Sequence, residues 1–310
     1  FYSRLVDGLL DADIQPWVTL YHWDLPQALQ DRGGWTHRDT ALRFAEYAEV
    51  VTRRLGDRVK NWITLNEPFV AAALGYGFGI HAPGHTSMEE AAAATHHLLL
   101  GHGYAVPVIR RDCAGANVGI TLNYSPMHPA TDSEADHFAT QVHDAFVQRV
   151  YLDPLAGRPY PTDALKTRGI RMDMVQGDDM ARIAAPIDFL GLNNYSRDVV
   201  RAGSQGFDEP PPADDAERTE MGWEVYPQGI YEMLMRIARE YPFKALYITE
   251  NGAAFPDQVG PDGEVDDPRR VAYLRDYITQ AGRALAEGAP LKGYFVWSLL
   301  DNFEWSLGYT

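Results

Sequence analysis

Two glutamates close apolar runs in a way that could do chemistry. In Asn61-Trp62-Ile63-Thr64-Leu65-Asn66-Glu67-Pro68, an aromatic, β-branched and aliphatic run stops at Asn66-Glu67-Pro68. Proline cannot donate to a sheet ladder and pushes the residue before it into an extended conformation, so Glu67 belongs at the carboxyl end of a strand. Far downstream, Leu246-Tyr247-Ile248-Thr249 stops in the same way at Glu250-Asn251-Gly252. Either glutamate alone reads as well as a polar group closing a turn. Two of them, mounted on buried strands and aimed at one spot, suit hydrolysis of a glycosidic bond. One carboxyl gives and takes a proton while the other attacks or activates water.

The elements that must hold them alternate. Leu5, Leu9 and Ala12 space a helix over residues 1–13, and a strand over 17–21 follows, ending in His22-Trp23-Asp24-Leu25-Pro26. Gly33-Gly34-Trp35 marks a loop, and Ala41, Phe44, Ala48, Val51 and Leu55 stripe a helix over 39–56 with Gly56 as its stop. After the strand at Glu67, Gly75, Gly77, Gly79 and Gly84 predict a loop. Ser87 and Glu90 then form the S-x-x-E capping box of a long Ala-rich helix. A strand over 117–122 ends in Asn123-Tyr124-Ser125-Pro126, and Ser133 caps a helix over 133–151. A strand over 187–195 precedes a stretch over 201–222 that, with Pro210-Pro211-Pro212, reads as a long surface loop. A helix over 227–240 leads to the strand before Glu250, and Asp267-Pro268 cap a helix to 287. The last strand covers 293–297, followed by Ser298-Leu299-Leu300-Asp301-Asn302-Phe303-Glu304-Trp305.

Strand alternating with helix, each strand apolar with polar residues at its far end, is the pattern of a parallel α/β sheet. A TIM (β/α)8 barrel has eight strands in roughly 250 residues and keeps its chemistry at their carboxyl ends. Six strands are visible here. The sequence therefore predicts a single, partial (β/α)8-barrel domain over 1–310, with strands three to eight present and the first two strands and last helix absent.

Composition narrows the function. At 310 residues and 45% hydrophobic the chain builds a sizeable core. Seven Trp and seventeen Tyr serve that core and also offer platforms for sugar rings. A net charge of −16 speaks against nucleic acid, whose phosphates need a basic face. A single cysteine, Cys113, rules out an internal disulfide or a cysteine metal cluster. No apolar run approaches the roughly 20 residues of a membrane span. Gly75-Tyr76-Gly77-Phe78-Gly79 lacks the strand–GxGxxG–helix setting of a phosphate loop. His96, His97 and His102, or His137 with His143, do not have a usual metal spacing. No cofactor and no metal are expected.

Thr64-Leu65-Asn66-Glu67-Pro68 and Ile248-Thr249-Glu250-Asn251-Gly252 resemble the two catalytic signatures of glycoside hydrolase family 1, the β-glucosidase family. The similarity extends through 19–26, 189–195 and 297–305, so five segments match in order, each at a strand end. The resemblance implies a retaining β-glucosidase, with Glu67 as general acid/base and Glu250 as nucleophile. It implies that Glu67 has a raised pKa and that Glu250 stays ionised with help from donors or a cation. His22, Asn66 and Glu304 resemble the groups that bind sugar hydroxyls, Trp297 the indole under the pyranose, and Trp305 an N–H donor. Asn193 lies at its strand end, and Tyr195 resembles the phenol that hydrogen-bonds the nucleophile. Trp23 divides evenly between packing and binding. A cis Trp297–Ser298 bond is usual in the family. Phe69, Asn123 and Trp223 lie on loops that could line the aglycone side or simply pack.

Two departures narrow the substrate. The 6-phospho-sugar branch replaces the Glu-Trp pair at 304–305, and plant thioglucosidases carry Gln at the position of Glu67. Both point to unphosphorylated O-glycosides such as small β-glucosides or cello-oligosaccharides, with galactosides or fucosides also open. The rival readings are a non-catalytic sugar-binding relative, which should lack one carboxylate, and an inactive fragment. Family members carry a Gln and an Arg of the site ahead of the segment that begins here. An incomplete barrel has unpaired edges that invite pairing with a second copy. The location expected is cytoplasmic.

Overall fold

The computed structural model describes residues 1–203 and 215–309. Among them six strands form one sheet, parallel throughout and in chain order. They are β1 (Trp17–Tyr21), β2 (Asn61–Asn66), β3 (Asn117–Asn123), β4 (Phe189–Asn193), β5 (Leu246–Glu250) and β6 (Leu291–Tyr294). The main helices are α1 (Tyr2–Asp11), α2 (Asp39–Leu55), α3 (Met88–Asp112), α4 (Glu134–Asp144), α5 (Gln228–Glu240) and α6 (Pro268–Ala286). Among the described residues the sheet is not closed, since β1 pairs only with β2 and β6 only with β5. It nonetheless curls as a barrel wall. Trp17 of β1 reaches across the interior to Phe189 (5.1 Å) and Tyr247 (4.5 Å) near the amino ends of β4 and β5, and to Phe295 (5.4 Å) just past β6.

The helices lie against the wall for the reasons their sequences suggest. Ala41, Phe44, Ala48 and Leu55 of α2 are buried, and α2 packs closely on α3. Asp267 caps α6 by accepting from the Arg270 N–H at 3.2 Å, and Ser133 caps α4 by accepting from Asp136 N–H at 3.2 Å. Among the described residues no helix is long and apolar enough to cross a membrane.

Several local expectations need correction. The capping box at Ser87 is half made. Ser87 Oγ accepts from Glu90 N–H (3.3 Å), but the Glu90 carboxylate turns to His85 Nδ1 (2.6 Å) and Ser87 N–H donates to Tyr76 O. The predicted glycine loop starts late: Gly75 and Gly77 belong to a π-helix, Val70–Gly77, while Gly79 and Gly84 lie in the loop beyond it. The first two serve close packing: a Cβ on Gly75 would meet Ala82 O at 2.8 Å, and one on Gly77 would meet Met88 Cε at 3.0 Å. The helix expected over 133–151 is interrupted by a π turn, Ala145–Arg149, and resumes over Val150–Leu155. Gly56 ends α2 with ordinary right-handed backbone, and a Cβ there would meet Thr52 O at 2.5 Å. The last strand is Leu291–Tyr294 rather than 293–297. Phe295 N–H makes one further bond to Ile248 O, after which the chain leaves the sheet. Part of the expected 201–222 loop, Pro210-Pro211-Pro212 included, lies outside the described residues.

Candidate active site

The carboxyl ends of β1, β2, β4 and β5 bring the predicted groups together. Past Ile63 the β2–β3 register shifts, and Glu67 N–H donates to Thr121 O at 2.9 Å. Glu67 is not extended as its place before Pro68 predicts; it takes φ +44°, left-handed backbone that a side chain of this size adopts at a cost of order 1–3 kcal/mol. The residue is 7% exposed, with Oε1 accepting from Asn193 Nδ2 at 2.7 Å. Asn193 on β4 is paired in register with Glu250 at the end of β5. Glu250 Oε2 accepts the Tyr195 hydroxyl at 2.6 Å.

Electrostatics separate the two carboxyls. Burial pushes Glu67 up to about 8, helped by the charges of Glu250 and Glu304 and opposed by the Asn193 N–H. Burial also raises Glu250, to about 7, with Glu304 adding to it while the donors Tyr195 and Asn193 pull it back. Glu67 is the more buried of the two and Glu250 has the more donors, so protonation is favoured on Glu67 and ionisation on Glu250. The expected donors to Glu250 are in place, yet burial outweighs them and holds it above the ordinary carboxylate range. Burial, with the charges of Glu250 and Glu67, drives the Tyr195 phenol far upward, so it remains a donor.

Aromatic rings form the facing wall. His22 stacks near Trp297 (5.9 Å, 25°) and Trp305 (6.1 Å, 16°), and Trp23 meets Trp305 at 4.7 Å. Trp23 Nε1 donates to Asn66 O at 2.9 Å, which fixes this ring as a wall of the site through its own backbone-bonded position. Asn66 Oδ1 accepts from Asn193 Nδ2 at 3.0 Å, and Asn66 Nδ2 reaches His22 Nε2 at 3.2 Å. Burial lowers His22 and keeps it neutral at physiological pH. Trp297–Ser298 is cis, and Trp297 N–H donates to Asn251 O at 3.0 Å. Gly252 is required there, because a Cβ would collide with Trp297 O. Glu304 accepts from Asn302 Nδ2 at 2.9 Å.

The aglycone-side expectations divide. Trp223 lies over Tyr195 (5.3 Å, 43°), the residue that hydrogen-bonds Glu250. Asn123 ends β3 half-buried, in register with Asn193. Phe69 packs edge-on against Phe146 (5.7 Å) and Tyr151 (6.4 Å) and lines a small internal apolar cavity with Met88 and Ile170, because the π-helix that starts beside it carries the ring inward. The sequence reading missed His81, which stacks on Trp305 at 6.4 Å and packs against Trp23 at 5.6 Å. A histidine entering an Ala-Pro-Gly turn was the available signal. It also missed Thr249, one residue before Glu250, whose hydroxyl donates to Asn193 Oδ1 at 2.7 Å. The helix histidines have local partners instead: His96 joins Tyr160 and Asp179, His97 meets Trp35 O, and His102 meets Thr64 Oγ1.

A family model described as Glycosyl hydrolase family 1 matches residues 1–310. Beta-glucosidase A of Acetivibrio thermocellus is 45% identical over 317 residues, covering all of this chain and 70% of that protein. The bifunctional beta-D-glucosidase/beta-D-fucosidase of Bifidobacterium breve is 42% identical over 334 residues, covering all of this chain and 72% of its own length. The beta-glucosidase from Thermotoga maritima in complex with deoxynojirimycin superposes with a TM-score of 0.95 at 45% identity, over all of this chain and 70% of that one.

Proposed function

The chain belongs to glycosyl hydrolase family 1, and we propose that it is a retaining β-glucosidase built on a single barrel domain. The observation that carries this reading is one amide, Asn193, placed between two strand-end carboxyls, the buried Glu67 and the half-buried, Tyr195-bonded Glu250. Glu250 attacks the anomeric carbon as a carboxylate, and the bond to the departing oxygen breaks as Glu67 gives that oxygen its proton. A glycosyl ester on Glu250 results. Glu250 then no longer carries a charge, so Glu67 releases protons more readily and can take one from the water that cleaves the ester.

His22, Asn66, Glu304 and Trp305 supply hydrogen bonds to sugar hydroxyls, with Trp297 as the stacking face and Trp23 as a fixed wall. Trp223 borders the aglycone side. The substrates are terminal β-D-glucosides, including cello-oligosaccharides, and the named specificity of the Bifidobacterium relative supports β-fucosides as well. Both carboxyls are present, which argues against a non-catalytic sugar binder.

The test is hydrolysis of an aryl β-glucoside by the 310-residue chain, with Glu250→Gly in azide as the second arm. Turnover with release of β-glucose, and α-glucosyl azide from the variant, are expected. Release of α-glucose, or no azide adduct, refutes the assignment of Glu250.

A further inference from the structure

A chain of hydrogen bonds, each donating in the same sense, links residues from five neighbouring strands beside the two carboxyls. Thr121 Oγ1 on β3 donates to Thr249 Oγ1 on β5 at 3.2 Å. Thr249 Oγ1 donates to Asn193 Oδ1 at 2.7 Å. The Asn193 amide then donates to Asn66 Oδ1 (3.0 Å) and to Glu67 Oε1 (2.7 Å), and Asn66 Nδ2 donates to His22 Nε2 (3.2 Å). The first link passes over β4, which lies between β3 and β5. It can do so because the intervening residue is Gly191, in register with Thr121. A Cβ there would collide with Thr121 Oγ1 and sit 2.9 Å from Thr249 Oγ1.

A primary amide has two ends, and which end faces an acid matters. With a hydroxyl donated to its carbonyl, Asn193 must turn its NH2 toward Glu67. Oε1, which already accepts from the Asn193 N–H, then serves as the carbonyl oxygen of the protonated carboxyl, so the proton goes to Oε2. A flipped amide would offer Glu67 a carbonyl instead and draw the proton onto Oε1.

Resting on the reading of Glu67 as the acid, we propose that Thr249, backed by Thr121, is a positioning residue that locks the Asn193 amide and so assigns the acid's proton to Oε2. The same chain sets His22 as the tautomer with an unprotonated Nε2. The groups bearing on Glu67 are Asn193 from β4, Glu250 and Tyr195 from the ends of β5 and β4, and Glu304 beyond β6. The Asn193 N–H is the one among them that favours the ionised form of Glu67.

The test is a carbon-13 carboxyl NMR titration of the wild-type chain, Thr249→Val and Thr249→Ser, with Glu67→Gln to assign the resonance. Valine keeps the shape and removes the hydroxyl; serine restores it. The Glu67 midpoint is expected to rise by about half a pH unit or more in the valine variant, as the amide loses its fixed orientation, and to return in the serine variant. The same midpoint in all three proteins overturns the proposal, as does a serine variant that behaves like valine. This readout needs no turnover, so it stands apart from the aryl glucoside assay that judges the glucosidase reading itself.

Discussion

Replacing Glu67 by Gln should stabilise the folded chain, by an amount that depends on pH in a defined way. Glutamine keeps an oxygen for the Asn193 N–H but cannot titrate. In the unfolded chain the Glu67 carboxyl ionises near 4.5, whereas in the fold it ionises at about 8. Between those values the folded state holds a proton that the unfolded state has released, so wild-type stability falls as pH rises. At about 1.4 kcal/mol per pH unit, the wild type loses about 3 kcal/mol between pH 4.5 and 7 relative to the variant. Near pH 4 the two should be equal; above pH 8 the gap should level off at about 5 kcal/mol. With an unfolding entropy of about 2.1 cal/mol/K per residue over 310 residues, the pH 7 difference is about 5 °C in Tm. Thermal unfolding of both proteins from pH 4.5 to 9 measures it. A Tm difference that stays flat across that range, or shrinks as pH rises, refutes the claim that burial holds a proton on Glu67.

Other perturbations test other parts of the site. Tyr195→Phe removes the 2.6 Å donor that favours ionised Glu250. The acid limb of kcat/KM should move to higher pH and kcat should fall on the order of a hundredfold, whereas an unchanged limb would deny Tyr195 that role. Glu304→Gln takes away a charge that raises both carboxyls, so both limbs should move to lower pH. Limbs that move upward would contradict the placement of Glu304. Burial by itself would raise Asp179, but Arg38, the Gln176 N–H and His96 outweigh it and hold the carboxyl well below the usual range. Arg38→Met should therefore cost about 3–5 kcal/mol near neutral pH, and less as acid protonates Asp179; urea unfolding at pH 7 and pH 3 compares the two. Gly252→Ala, whose new methyl would collide with Trp297 O, should abolish hydrolysis even where circular dichroism shows helix content retained.

Much of the site was legible because it depends on short-range rules. Glu67 and Glu250 each stand where an apolar run meets residues that cannot continue a sheet, and strand polarity then places both at one end of the barrel wall. The caps at Ser133 and Asp267 were readable for the same reason, since a side-chain oxygen and an N–H three residues on settle them. The rest depends on residues far apart in the chain. The glycines at 75 and 77 look like loop residues until Ala82 and Met88 crowd them, and the π-helix they permit turns Phe69 away from the site. Gly191 reads as an ordinary strand glycine until Thr121 and Thr249, 128 residues apart, meet across it. The proton affinities of Glu67 and Glu250 are likewise tertiary quantities, set by burial, by Asn193 and Tyr195, and by the charge of Glu304. Sequence alone determined which groups stand at the strand ends, because that follows from neighbours along the chain. The tertiary structure decided which of them holds the proton, because desolvation and hydrogen-bond direction exist only once distant strands are packed together.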